Sequence, residues 1–160
     1  MLTLNGKSLG RKETGKDTYY AEFEVSYKPG KLEAIGYRNG KKVGTCKLET
    51  TGSVSKIQPN PVWKEMSRDG KDINIIEIRL TDDKGRTVPE AENEIIVTVT
   101  GGAKLIGIDS PNLYYTGNFK TDRRKAQNGT LLVTVQSNGK NEKTVINLSS
   151  KGLEDTTISF

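Results

Sequence analysis

Apolar and polar residues alternate along much of this chain with a period of two, the spacing that sends successive side chains to opposite faces of a β-sheet. The strictest run is 19–27, where Tyr19, Ala21, Phe23, Val25 and Tyr27 point one way and Tyr20, Glu22, Glu24 and Ser26 the other. It predicts a half-buried strand. Ahead of it, Leu2 and Leu4, then Asn5-Gly6, then Leu9 predict a tight hairpin, because Asn-Gly supplies the two positive-φ positions of a type I′ turn. Lys28-Pro29-Gly30 predicts a turn, 32–37 a strand, Asn39-Gly40 a second tight hairpin and 41–48 its return.

From 50 to 61 the composition shifts to Thr, Gly, Ser, Asn and Pro, and Pro59 and Pro61 press their preceding residues toward extended geometry. This stretch reads as a linker, dividing the chain into a first domain over 1–56 and a second over 57–160. Beyond it, strands are predicted over 73–81, 94–100, 104–108, 130–136, 143–149 and 156–160, with a turn at Asp82-Asp83-Lys84-Gly85 and irregular chain over 109–128. About seven strands separated by turns fit an immunoglobulin-like sandwich. The expected fold class is therefore all-β, two β-sandwich (immunoglobulin-like) modules in tandem. The first is expected to be small and incomplete at its N-terminus, because its opening hairpin begins almost at Met1, and the chain reads as a piece of something larger.

Composition agrees with thin sheets. Of 160 residues 32% are hydrophobic and 17 are glycine, and no long stretch carries a 3.6-residue apolar period. The net charge of +5, from 25 basic and 20 acidic residues, is interleaved along the chain. A nucleic-acid footprint is more clustered. The one compact basic run, Arg123-Arg124-Lys125, reads as a solvated loop edge. The single cysteine, Cys46, allows no internal disulfide and reads as a small buried strand residue. No apolar run reaches the roughly 18 residues of a membrane span.

Two resemblances become visible on this pattern. LNGKSLGRKE at 4–13, VSYKPGKLEAIGYRNGKKVG at 25–44 and LETTG at 48–52 resemble the small β-domain that follows the catalytic barrel in many bacterial glycoside hydrolase family 2 proteins, which are β-galactosidase-like. DGKDINIIEIRLTDDKGRTVPEAENEI at 69–95 and FKTDRRKAQNGTLLVTVQS at 119–137 resemble the C-terminal immunoglobulin-like domain of the same proteins. LTDDKGRTVP at 80–89 is also similar, more loosely, to bacterial Ig-like repeats of the invasin and intimin type. The two matches stand in the order that the glycoside hydrolase family uses. SPNLYYTGN at 110–118 departs from its relatives, so no loop function is carried over.

In that family a retaining mechanism uses two glutamates on a barrel, about 5 Å apart. This chain has no βα alternation to build a barrel. Glu22, Glu24, Glu90, Glu92 and Glu94 read as solvating charges on strands or loops. With no histidine, neither a Ser-His-Asp nor a Cys-His arrangement can form, and one cysteine cannot close a zinc site. No spaced Asp/Asn ladder supports calcium, so Asp82-Asp83-Lys84-Gly85 reads as a turn. Asn128-Gly129-Thr130 and Asn147-Leu148-Ser149 match the glycosylation pattern and read as turn and strand residues.

Carbohydrate is the sharpest ligand hypothesis. Sugar sites pair aromatic faces with amides and carboxylates, and one loop holds Asp109, Asn112, Tyr114, Tyr115, Asn118 and Phe119. The competing reading packs Tyr115 or Phe119 onto the end of the sandwich or a neighbouring domain, and Trp63 reads as an interdomain packing residue. The expectation is thus a non-catalytic accessory module, with no cofactor and no metal. Its expected partners are the catalytic barrel and other N-terminal domains of a parent enzyme, with carbohydrate as an alternative ligand and no nucleic acid or membrane. An exposed edge of the first domain offers a route to self-association. Bacterial Ig-like surface adhesion is the third alternative, and the resemblance implies a periplasmic or extracellular location.

Overall fold

The computed structural model describes residues 1–15 and 18–160. Among them every regular element is a strand, and all pairings are antiparallel. The chain divides into two compact units, Met1–Thr50 and Thr51–Phe160.

The first unit is one four-stranded sheet. Its strands are β1 (Leu2–Leu4), β2 (Lys7–Gly10), β3 (Lys31–Arg38) and β4 (Lys41–Glu49), in the order β2-β1-β3-β4. Both Asn-Gly pairs do what the pattern requires. Asn5 and Gly6 have φ of 51° and 79°, Asn39 and Gly40 of 49° and 75°, the left-handed geometry of a type I′ turn. Asn5 does more than turn the chain. Its Oδ1 accepts a hydrogen bond from the Lys31 amide at 2.8 Å, and its Nδ2 donates to the Pro29 carbonyl at 3.0 Å. The first hairpin is thereby tied to the turn that launches β3.

The strand expected over 19–27 is absent. The alternation survives only as half-buried Phe23 and Val25 among exposed neighbours, and Tyr19, Tyr20 and Tyr27 are exposed. Period two assigns faces, but a strand also needs a partner for its backbone, and this stretch lies in no ladder among the described residues. Cys46, expected to be buried, is exposed. The reason is general to its strand: all nine residues of β4 are exposed, because no described residue covers either face of the strand.

The second unit is a sandwich. One sheet has the order β5-β6-β10-β8 and the other β12-β11-β7-β9. The first comprises β5 (Lys56–Pro61), β6 (Ile73–Thr81), β8 (Ala103–Asp109) and β10 (Thr130–Ser137). The second comprises β7 (Glu94–Thr100), β9 (Arg123–Lys125), β11 (Val145–Ser149) and β12 (Thr156–Ser159). Ile76, Ile78, Leu80, Val133 and Val135 on one sheet meet Ile95, Val97, Ile146 and Leu148 on the other, all essentially inaccessible. Each such side chain contributes about 1.5–3 kcal/mol by leaving water.

Two readings of this half change. The expected linker 50–61 ends in a strand: β5 pairs with β6, placing Pro59 opposite Ile78 and Pro61 opposite Ile76, and Ile57 enters the core. Proline is tolerated there because β5 is an edge strand, whose outward amides have no ladder partner to lose. The irregular stretch 109–128 contains β9, which pairs with β7. Its Arg-Arg-Lys sequence carries no apolar signal, yet its middle residue is buried.

Candidate functional site

The loop that leaves β8 at Asp109 and returns at β9 is built by its own polar side chains. Asn112 Oδ1 accepts from the Tyr114 amide at 3.0 Å, and the Asn112 carbonyl accepts from the Tyr115 amide at 3.1 Å. Asn118 Oδ1 accepts from the Lys120 amide at 2.8 Å. The Ile108 amide donates to the Phe119 carbonyl at 2.9 Å, pinning the far end of the loop to β8. The two side-chain bonds, of Asn112 and Asn118, make Asx-type turns, in which a short amide side chain substitutes for a backbone turn.

At the base of the loop lies Arg124, read from sequence as part of a solvated basic edge. Its side chain is 4% exposed. The guanidinium carbon sits 3.7 Å from the centre of the Tyr115 ring and 4.7 Å from that of Phe119. The two rings meet edge to face, with centroids 5.3 Å apart. Nη2 donates to the Asn118 carbonyl at 3.0 Å, and Tyr115 Oη donates to the same oxygen at 3.2 Å. Nε and Nη1 find no hydrogen-bond acceptor among the described residues. Nη1 points toward Asp109, whose Oδ1 is 3.8 Å away and accepts from the Ser110 amide at 2.7 Å. Arg123, the preceding residue, is exposed and pairs with Asp122 at 3.1 Å.

The candidate residues therefore divide. Tyr115 and Phe119 clamp Arg124, while Asn112 and Asn118 hold backbone. Tyr114 stands 92% exposed at the loop tip beside Leu113 at 94%. Asp109 lies where the loop meets the sheet face. Trp63 is exposed, and its backbone is held by fully buried Asn74, whose Nδ2 donates to the Trp63 carbonyl at 2.8 Å and whose Oδ1 accepts from the Trp63 amide at 3.3 Å.

A second polar centre lies at the turn that follows β6. Asp82 is fully buried, and its Oδ2 accepts from Arg86 Nε at 2.9 Å, Arg86 Nη2 at 2.6 Å and the Gly52 amide at 2.9 Å. Its Oδ1 accepts from the Lys84 and Arg86 amides at 3.0 and 2.9 Å. The Arg86 guanidinium, with the Gly52 amide next, holds this carboxyl far below the usual carboxylate range. Asp82-Asp83-Lys84-Gly85 is indeed a turn, and the one available signal for its anchor was an Asp at the turn entrance. Among the described residues, no three Asp, Glu or Cys side chains gather as metal ligands do.

Thus the geometry defines a β-sandwich with a self-braced loop, preceded in the chain by a small sheet: the class of all-β modules. Residues 57–159 match glycoside hydrolase family 2 C-terminal domain 5, and residues 1–44 match a domain of unknown function, DUF4982. The chain belongs to the glycoside hydrolase family 2 C-terminal domain 5 family and is a C-terminal accessory region of that kind, as the resemblances over 69–95 and 119–137 implied. It is 32% identical over 99% of its length to the beta-galactosidase BoGH2A of Bacteroides ovatus, covering 19% of that protein. It is 31% identical over 77% of its length to a putative beta-glucuronidase of Formosa agariphila, covering 12% of it. A solved glycosyl hydrolase family 2 member from Bacteroides cellulosilyticus superposes with a TM-score of 0.95, at 32% identity, over 99% of this chain and 22% of that one. The chain thus spans about a fifth or less of the length of these relatives.

Proposed function

We propose that this chain is a non-catalytic scaffold of a glycoside hydrolase of the β-galactosidase or β-glucuronidase type, and that its first unit docks against other domains of that enzyme. The observation that carries this reading is the exposure of β4 along its whole length. A lone four-stranded layer buries little of its apolar surface, and stable domains cover each sheet with a second layer. Here β4 exposes Val43 at 64% and Leu48 at 68%, and the buried apolar core lies wholly in the second unit. The partner that completes this layer is the catalytic barrel or a neighbouring domain of the parent enzyme. No histidine is present to shuttle protons at neutral pH, and the closely spaced glutamates, Glu22 with Glu24 and Glu90, Glu92 and Glu94, are exposed.

The test uses the full-length enzyme. Val43→Asp and Leu48→Asp together should lower its thermal midpoint and its activity, while the purified 160-residue chain should hydrolyse neither nitrophenyl β-galactoside nor nitrophenyl β-glucuronide. Turnover by the chain alone would overturn the non-catalytic reading, and an unaltered full-length enzyme would overturn the docking one.

A further inference from the structure

On the outer face of the sheet β5-β6-β10-β8, three side chains stand in one cross-strand row. Glu77 on β6 lies opposite Leu132 on β10, and Leu132 lies opposite Asp109 on β8. Directly opposed residues of antiparallel strands share a face, so an apolar side chain is flanked by two carboxylates. Adjacent strands are about 4.8 Å apart, which sets the two acidic positions roughly 10 Å from each other. This row opens into a cleft of about 280 Å³, walled on one side by Ser110 and Pro111 where the loop leaves β8. Leu132 is 43% exposed on its floor, whereas Leu131 and Val133 on either side point into the core.

The charges of both carboxylates already have counterparts. Arg79 Nη2 lies 2.8 Å from Glu77 Oε2. Asp109 is backed by buried Arg124, whose Nη1, without a hydrogen bond of its own, faces it at 3.8 Å. Two lone-pair-rich acceptors therefore bracket an apolar floor with little net charge between them. A cation gains little from such a site, and an anion is turned away by the oxygens. A neutral ring with hydroxyls on its rim and C–H groups on its face fits both features. A pyranose of roughly 5 Å, with a hydroxyl-to-carboxylate bond of about 2.7 Å on each side, spans the gap. The volume lies just below the roughly 300–1,000 Å³ of drug-sized ligands, which is the scale of one sugar ring.

We propose that the cleft between Glu77 and Asp109, floored by Leu132 and walled by Pro111, is a binding subsite for a neutral pyranose. It stands independently of the scaffolding role. The braced loop supports it: the Tyr115–Arg124–Phe119 clamp fixes the chain that follows Asp109, so the wall exists before a ligand arrives.

The test is a ¹H–¹⁵N titration of the 160-residue chain with D-galactose, D-glucose, a β-linked glucose tetramer, D-glucuronate and arginine amide. Shifts at 77, 109–110 and 130–132 with either neutral monosaccharide or the tetramer, at about millimolar affinity, support the site. Binding should weaken about tenfold or more in Glu77→Gln and Asp109→Asn, each loss being that of a charged acceptor, with the spectrum unchanged away from the substituted residue and, for Asp109→Asn, away from the loop braced by Arg124. Leu132→Gln, an exposed-face change, should weaken it without unfolding. Glucuronate or arginine amide binding there as well as the neutral sugars would overturn the proposal, as would neutral-sugar shifts that are absent or fall elsewhere.

Discussion

The Arg124 guanidinium lies 3.7 Å from the centre of the Tyr115 ring, and both side chains donate to one oxygen, the Asn118 carbonyl. A buried cation costs several kcal/mol of lost hydration. Stacking on two rings and one charged hydrogen bond offset that cost, and in doing so shape the loop. Tyr115→Leu and Arg124→Met should each destabilise the second unit. A double-mutant cycle should give a coupling of about 0.5–2 kcal/mol, measured by denaturant unfolding, and the single variants should be cut faster by protease within 110–119.

Asp82 should make the protein acid-sensitive. Its folded pKa is depressed by Arg86 and the Gly52 amide, so its contribution is complete above the unfolded carboxylate value of about 3.9. Stability is lost as pH falls below that value toward the folded pKa, because the unfolded chain takes up the proton first. Asp82→Asn should lower the thermal midpoint at pH 7, and its difference from the parent chain should shrink progressively from pH 4 to pH 2. A constant difference across that range would remove Asp82 as the cause.

Burial separates the two units in their response to substitution. Ile146 is fully buried between the sheets, and Ile146→Ala should cost about 2–5 kcal/mol through lost transfer energy and the cavity left behind. Val43→Ser, on an uncovered strand, should lie within about 0.5 kcal/mol of the parent in the 160-residue chain. Chemical denaturation of the two variants side by side checks both.

Gly101 has a φ of 80°, and a Cβ there would strike the Lys143 carbonyl oxygen. Gly101→Ala combines an unfavourable backbone region with a collision against main chain, so it should destabilise by more than about 1 kcal/mol. At Gly85, where φ is 76° and no atom stands near the Cβ position, the same change should cost less. Thermal melts of the two variants give the comparison.

Local chemistry made a large part of this protein legible. Asn5-Gly6 and Asn39-Gly40 set their hairpins because few residues other than Asn and Gly accept positive φ. The alternation of Ile76, Ile78 and Leu80 marked one core face, because a sandwich buries every second residue. What depended on a partner stayed hidden. The pattern over 19–27 is as regular as that of β6, yet it pairs with no strand among the described residues, and Pro59 and Pro61 entered a strand because only an edge position was asked of them. Cys46 and Arg124 exchanged their expected places for the same reason: burial belongs to the layer above a residue and not to the residue itself. The row Glu77–Leu132–Asp109 joins positions from three strands, and only the register of β10 between β6 and β8 brings them together.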